Sequence, residues 1–342
     1  MAQDYLYGLI GTYRSLSIIG MCKNSGKTTV LNRIIHKLAE KDEFPALTSI
    51  GRDGETTDLV SGTAKPRIYV YSGSLIATAA GLLDSCDITK EFLESTGIST
   101  PLGEVIIVRA LSDGYVQLAG PSIIKELEQL SQSFLRLGAE KIIIDGAVGR
   151  RTLCTRSLTE GTILCTGASC GAGMDAVISE TKHVVRMLNL PALKDTAMRE
   201  AISEQKKCGA KILLCGSNYI ALPLDMSIEE GLHKNKENKT THVYINDALS
   251  NKTVQSLLLS GTKLSGITLV VRDASKILIN SANYEKIRLK QSDILVMDGI
   301  NLLAVAINPF SVRGYNFDKD NFRKSLSEQI DVPVINVEET ND

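Results

Sequence analysis

The sequence predicts an α/β protein of two domains, and three observations carry the prediction. Short apolar runs of β type alternate with segments whose apolar residues recur at helical spacing. One strand–turn–helix stretch, Leu16 to Leu31, holds Gly26-Lys27-Thr28 in its turn. A later β run, Lys141-Ile142-Ile143-Ile144, ends in Asp145-Gly146. The length agrees, since 342 residues suffice for about two domains of ~100–200 residues with cores of their own.

Composition narrows the field of partners. A formal net charge of -1 gives no electrostatic argument for nucleic acid or an anionic membrane. The N-terminus lacks a secretory pattern, and no apolar run approaches the ~20 residues that cross a bilayer, so a soluble cytoplasmic protein is expected. The seven cysteines form no Cys-x-x-Cys pair, and reduced, largely buried thiols are expected rather than disulfides or a zinc site. Cys22 is set apart, because a thiol in a loop rich in N–H groups has reason to ionise and oxidise readily. The four histidines are scattered without ligand spacing, and no metal is assigned to them.

The first element is the apolar strand Leu16 to Ile19. It runs into Gly20-Met21-Cys22-Lys23-Asn24-Ser25-Gly26-Lys27-Thr28-Thr29 and then a helix with Leu31, Ile34, Ile35 and Leu38 on one face. A phosphate-binding loop needs these residue types. Glycine lets the backbone close on the anion, successive N–H groups point inward, and the helix N-terminus faces the charge. Gly20, Asn24, Ser25, Gly26, Lys27, Thr28 and Thr29 are the candidate nucleotide contacts, with Lys27 on the phosphates and the Thr28 hydroxyl on Mg²⁺. Gly20 and Gly26 are separated by five residues where the common motif has four. That spacing resembles the loop of the dethiobiotin synthetase and cobyrinic acid amidase group. Lys23 is not the signature lysine of partition ATPases, which lies where this chain has Cys22.

The second strand, Ala46 to Ile50, leads into Gly51-Arg52-Asp53-Gly54-Glu55-Thr56-Thr57-Asp58. A polar loop at the carboxyl end of a strand beside a phosphate loop is where an open α/β sheet gathers its ligand. Asp53 is therefore a candidate catalytic and metal-site residue, Glu55 and Asp58 are weaker ones, and Arg52 is a candidate phosphate contact. A solvated Asp-Gly turn is the competing reading.

Arg67 to Tyr71 reads as a strand, followed by a helical pattern through Leu82 and a helical piece around Phe92-Leu93. Strands are expected at Gly103–Val108 and Tyr115–Leu118, and Pro121 then fits the first turn of a helix carrying Ile124, Leu127 and Leu130. Ser122 reads either as a phosphate-sensing residue or as a cap.

The run ending at Asp145 has the Walker B form, a buried strand closed by a carboxylate in the outer shell of the Mg²⁺ on Thr28. Asp145 is thus the second catalytic and metal candidate. The stretch Asp145-Gly146-Ala147-Val148-Gly149 is similar to the Glu-Gly-Ala-Gly-Gly of the dethiobiotin synthetase group. Arg150 and Arg151 read as phosphate or partner contacts or as plain surface charge.

Thr162 to Thr166 is another strand, and Gly167-Ala168-Ser169-Cys170-Gly171-Ala172-Gly173 leaves it as a second anion nest, a contact surface or a flexible connection. Ile212 to Cys215 is a buried strand, with Asn218 a weak candidate for reading a base. The polar stretch 233–241 marks the expected interdomain connection. It separates a P-loop nucleotide-binding domain over 1–232, a three-layer sandwich, from a smaller α/β domain over 242–342.

Taken together, the chain resembles the accessory P-loop proteins that serve as reactivase subunits of lysine 5,6-aminomutase in amino-acid-fermenting bacteria. The resemblance lies in Gly20 to Thr29, Gly103 to Ala110, Ile143 to Ala147 with Arg150-Arg151, Thr166-Gly167-Ala168, and Asn308-Pro309-Phe310-Ser311 with Gly314-Tyr315-Asn316-Phe317. It implies an ATP- or GTP-driven, Mg²⁺-dependent chaperone. Such a protein works on an adenosylcobalamin-dependent aminomutase with a MutS-like ATPase partner and promotes exchange of damaged cofactor. A synthetase of the dethiobiotin type and a nucleotide-binding scaffold are the alternatives, and a homo-oligomer stays open.

Overall fold

A computed structural model describes residues 3–51, 67–146, 158–312 and 314–336. The chain divides into two compact units, residues 1–182 with 301–342, and residues 183–300.

The first unit opens with α1 (Gln3–Ile10), β1 (Ser15–Gly20), α2 (Lys27–Ala39) and β2 (Ala46–Ser49). β3 (Ile68–Val70) and β4 (Leu75–Ala79) follow, then a 3-10 turn, Ala80–Ser85, the hairpin β5 (Lys90–Thr100) and β6 (Gly103–Ala110), and β7 (Gly114–Val116). α3 (Ile124–Arg136), β8 (Ile142–Asp145), β9 (Gly161–Gly167) and α4 (Met174–Leu188) complete the first pass, with α4 running across the unit boundary.

The second unit contains α5 (Thr196–Lys207), β10 (Ile212–Cys215), β11 (Tyr219–Ala221), α6 (Ile228–Lys234), β12 (His242–Ile245), β13 (Leu249–Ser250) and α7 (Asn251–Leu259). It closes with β14 (Thr268–Asp273), β15 (Ile277–Leu278), α8 (Ser281–Leu289) and β16 (Asp293–Asp298). The chain then re-enters the first unit as β17 (Leu302–Asn308), α9 (Lys319–Ser327) and β18 (Val334–Asn336).

Among the described residues the first unit is built on a nine-stranded sheet of order β18-β17-β9-β1-β8-β2-β4-β6-β5. From β18 to β4 all neighbours are parallel, and β6 pairs antiparallel with both β4 and β5. Burial explains the central strands. β1, β8, β2 and β9 are covered on both faces, which suits parallel β runs with few polar residues. Leu16, Ile18, Leu47, Ile143 and Ile163 pack with Val30, Leu31, Ile34, Ile35 and Leu38 of α2 on one face. On the other, Ala46, Ile142 and Ile144 meet Leu127, Leu130 and Phe134 of α3. The charged, largely exposed β5 closes the edge, where Lys90, Glu91 and Glu94 discourage further pairing.

The second unit has a five-stranded sheet of order β11-β10-β12-β14-β16, parallel from β12 to β16 and antiparallel at β10. Its core gathers Val243, Ile245, Leu269, Val271, Ile294 and Val296 against Val254, Leu257 and Ile287 of the helices.

The division therefore differs from the expected one at 232 and 242. The stretch 233–241 lies inside the second unit. Asn238 is buried there, its Oδ1 accepting from the Asn218 N–H at 2.8 Å and its carbonyl from the Ser217 N–H at 2.7 Å. Its polar composition serves hydrogen bonds to the β10–β11 turn rather than a linker. Residues 301–336, expected in the second domain, return to the first sheet, where β17 pairs with β9. Phe92-Leu93 is strand rather than helix, because β5 pairs along β6. The helix expected to begin at Pro121 starts at Ile124.

Lys141 ties the sheet to the turn after α1. Its buried ammonium donates to the carbonyls of Tyr13 at 2.8 Å, Gly11 at 3.1 Å and Ile10 at 3.3 Å, and burial holds its pKa below the ordinary lysine value. Lys141→Met keeps much of the stem and removes the donor from three carbonyls. Urea denaturation is expected to show a loss of about 1–3 kcal/mol, the usual cost of stranding buried acceptors. An unchanged midpoint would mean that water replaces the ammonium without cost.

Candidate functional site

The site lies at the carboxyl edge of the nine-stranded sheet, where β1 hands over to α2. β1 ends at Gly20, in register with Cys165 of β9. The Met21 N–H donates to the Cys165 carbonyl at 2.9 Å, which fixes the first step of the turn. Asn24 at φ 60 and Gly26 at φ 91 then take left-handed backbone, and the helix begins at Lys27. Gly26 meets that demand without the steric cost a Cβ would bring.

Among the described residues this helix start has no side-chain cap, and no acidic residue lies in its first turn. The Gly26 carbonyl accepts the first helical bond, from the Val30 N–H at 3.0 Å. α3 likewise has no side-chain cap, whereas α5, α6, α7, α8 and α9 are capped by Asp195, Ser227, Ser250, Asn280 and Asp318. The leading N–H groups of α2 are thus open to an acceptor from outside, and the helix dipole favours a negative one.

The turn is shaped as a cradle. A Cβ on Gly20 would stand 2.5 Å from Ser25 Oγ and 3.0 Å from Lys27 Cδ, so only glycine lets the lysine stem fold over the strand end. Ser25 is 2% exposed, and its buried Oγ has no hydrogen-bond partner among the described residues. Lys27 and Thr28 are half-buried, and Thr29 is exposed on the same first turn.

Asp145 joins this group through sheet register. Ile18 of β1 and Ser49 of β2 both pair with Asp145, so the three side chains share the sheet face that packs on α2. Asp145 is 8% exposed. The backbone is held on both sides, the Ile50 N–H donating to the Asp145 carbonyl at 3.0 Å and the Gly146 N–H to the Ile18 carbonyl at 2.8 Å. Lys27 and Asp145 act on one buried atom, the Cys165 thiol. Burial pushes that thiol up to about 12, with Lys27 pulling it down and Asp145 pushing it further up. The sequence candidates Gly20, Asn24, Ser25, Gly26, Lys27, Thr28, Thr29 and Asp145 are thus brought to one edge.

Asp53 lies outside the described residues, as do Arg52, Glu55, Asp58, Ala147, Val148, Gly149, Arg150 and Arg151. Ser122 is exposed and does not cap α3, whose cap position is Ile123 without a side-chain bond, so the capping reading is corrected. Asn218 belongs to the turn between β10 and β11 of the second sheet and not to the edge that carries the cradle. The stretch Gly167–Gly173 contains a single 3-10 turn, Ala168–Cys170. The Tyr315 hydroxyl donates to the Gly171 carbonyl at 2.6 Å and lies 3.2 Å from the Ala168 carbonyl. The cysteine expectation is corrected in one place, because Cys22 and Cys170 form a disulfide. Cys86, Cys165 and Cys215 are buried and free, and Cys208 is exposed and free.

Two site residues were not assigned from the sequence. Asn308, at the end of β17, donates from Nδ2 to the Asn24 carbonyl at 3.1 Å. Its Cβ is 3.1 Å from where a Gly26 Cβ would be. Ser49 is 1% exposed, and its Oγ, beside Asp145, has no hydrogen-bond partner among the described residues. A serine ending an apolar run carries little signal, and Asn308 is separated from Asn24 by 284 positions.

Gly26→Ala is expected to destabilise the first unit by about 1–2 kcal/mol, the cost of left-handed backbone for a residue with a Cβ, with the approach to Asn308 adding to it. Equilibrium unfolding measures this, and a neutral result would show that the turn relaxes out of the left-handed region.

Comparisons of the chain with protein-family models, with curated proteins and with solved structures find no match.

Proposed function

We propose that the first unit is a P-loop nucleotide-binding domain, a three-layer α/β sandwich taking ATP or GTP with Mg²⁺. The observation that carries this reading is the uncapped start of α2. Left-handed Gly26, Lys27 and the orphan Ser25 hydroxyl surround it, on the sheet edge that also bears Asp145. Inward N–H groups and a lysine suit a polyphosphate, while buried oxygen ligands beside them suit a hard divalent cation.

Within this reading each residue has a role. The N–H groups from Asn24 to Thr28 bind phosphate oxygens, and Gly20 leaves room for Lys27 to reach the same anion. Thr28 and Asp145 would hold Mg²⁺, with the buried Ser49 hydroxyl beside Asp145 on the same sheet face. Asn308 holds the Asn24 carbonyl away from the phosphates. The metal, when bound, neutralises charge on the terminal phosphates.

The biological role we propose is nucleotide-driven reactivation of an adenosylcobalamin-dependent aminomutase, together with a MutS-like ATPase. Its support is the sequence resemblance, joined to a site fit for a nucleotide. Such a helper needs two conformations of different affinity for the mutase, with the terminal phosphate selecting one. The unit 183–300 supplies partner surface.

Lys27→Ala is expected to abolish nucleotide binding in calorimetry while circular dichroism stays unchanged; retained binding would remove the phosphate-loop reading. Asp145→Asn is expected to weaken Mg²⁺-dependent binding by about tenfold, in line with the loss of one charge-assisted contact, and an unchanged Mg²⁺ titration would move the metal shell elsewhere. For the biological role, phosphate release is measured with an oxygen-inactivated lysine aminomutase and the MutS-like partner. Stimulation with recovery of mutase activity on adding adenosylcobalamin is expected. Turnover that depends instead on a small carboxylate or amine would replace reactivation by synthetase chemistry.

A further inference from the structure

The disulfide between Cys22 and Cys170 joins the two loops that leave neighbouring strands at the carboxyl edge. Cys22 lies inside the turn from β1 to α2, and Cys170 ends the 3-10 turn after β9, 148 positions away. Their Cα atoms are 5.3 Å apart, well within disulfide reach.

The neighbours of both cysteines are anchored by bonds of their own, and the bridge adds a further restraint on the residues between those anchors. Cys22 follows Met21, bonded to Cys165, and precedes Asn24, bonded to Asn308. Cys170 lies between two carbonyls within reach of the Tyr315 hydroxyl. Opening the bridge therefore leaves two thiols facing each other and ready to close. Each also precedes a helix in the chain, Cys22 ahead of α2 and Cys170 ahead of α4. Both residues are half-exposed, whereas Cys86, Cys165 and Cys215 are buried, with burial raising their thiols. In a reducing compartment such a pair is a redox sensor rather than a permanent staple.

We propose that Cys22 and Cys170 form a reversible thiol–disulfide exchange site, with small-molecule disulfides as its reactants, and that its redox state sets the nucleotide affinity of the adjoining cradle. The proposal rests on the nucleotide reading of that cradle. In the oxidising direction one cysteine thiolate attacks a disulfide RSSR, giving a mixed disulfide and releasing RS⁻, which takes up a proton as RSH. The second cysteine thiolate attacks the protein sulfur of the mixed disulfide and releases a second RSH. Two cysteine thiols are oxidised, one RSSR is reduced to two RSH, and the cysteine protons end on the released thiols.

The direction of coupling follows from loop entropy. In the bridged chain Asn24 and Gly26 already hold the conformation that turns N–H groups inward. Without the bridge, the Cys22-Lys23 segment has more freedom to lose on binding. Ordering about one further residue corresponds to roughly tenfold in affinity. By linkage, bound nucleotide makes the bridge harder to reduce by the same factor.

The test uses the full-length protein in buffers of graded reduced and oxidised glutathione. Alkylation and peptide mass analysis report the Cys22–Cys170 state, and calorimetry with ATP–Mg²⁺ and GTP–Mg²⁺ reports affinity at each end. The expected result is a reversible two-electron titration confined to this pair, with about tenfold tighter binding when bridged. Cys170→Ser, outside the cradle, is expected to bind in either buffer like the reduced wild type, its fold checked by circular dichroism. A pair that never bridges under oxidising buffer, or that opens only on denaturation, overturns the exchange site. Equal affinity in the two states, or tighter binding when reduced, overturns the coupling. If the pair titrates but neither state binds nucleotide, the nucleotide reading fails and takes the coupling with it, while the exchange chemistry is seen directly in the mass data.

Discussion

The site depends on one set of backbone groups, the leading N–H donors of α2, which no side chain among the described residues caps. A helix start left without acceptors is costly unless solvent or a ligand supplies them. The neighbouring features serve that opening. Gly20 clears space beside it, Gly26 turns the backbone, and Lys27 adds positive charge to the positive end of the dipole. A turn of this kind keeps its shape only when packed from outside, and the packing comes from β9, β17 and β8.

Parallel pairing is what makes those strands converge. Because β1, β8, β9, β2 and β17 run the same way, their carboxyl ends, and hence Gly20, Asp145, Gly167, Ser49 and Asn308, fall along one edge. The α2 face is apolar up to that edge, with Ile18, Ile143 and Leu47 beneath Asp145 and Ser49. Charges at the boundary of a dry layer act more strongly than they would in water. The raised Cys165 thiol, on which Lys27 and Asp145 both act, marks how close that layer comes to the site.

The second unit interrupts the first within α4 and returns the chain at residue 301 to β17. The first sheet is therefore finished only when the last part of the chain has been placed, and Asn308, which braces the cradle, arrives with it. The second unit has a core of its own around Val243, Leu269 and Ile294, and its helices start from side-chain caps. It has the makings of an independent surface rather than a second cradle.

The sequence by itself determined the local features: the strand and helix at Leu16 to Leu38, the buried run into Asp145, the α/β class, and the identity of Gly26-Lys27-Thr28. Each rests on short-range periodicity or on residue types that a single turn demands. Tertiary structure alone decided the rest. It put β1 beside β8, sent β17 back to β9 across an entire unit, and brought Asn308 to Asn24 and Cys170 to Cys22. It also made a strand of Lys90–Thr100 where Phe92-Leu93 suggested helix. The physical reason is common to all of these. Strand pairing and disulfide partners are chosen by burial and backbone hydrogen bonds between distant segments, and an apolar run such as Leu302–Asn308 reads the same whichever sheet it joins.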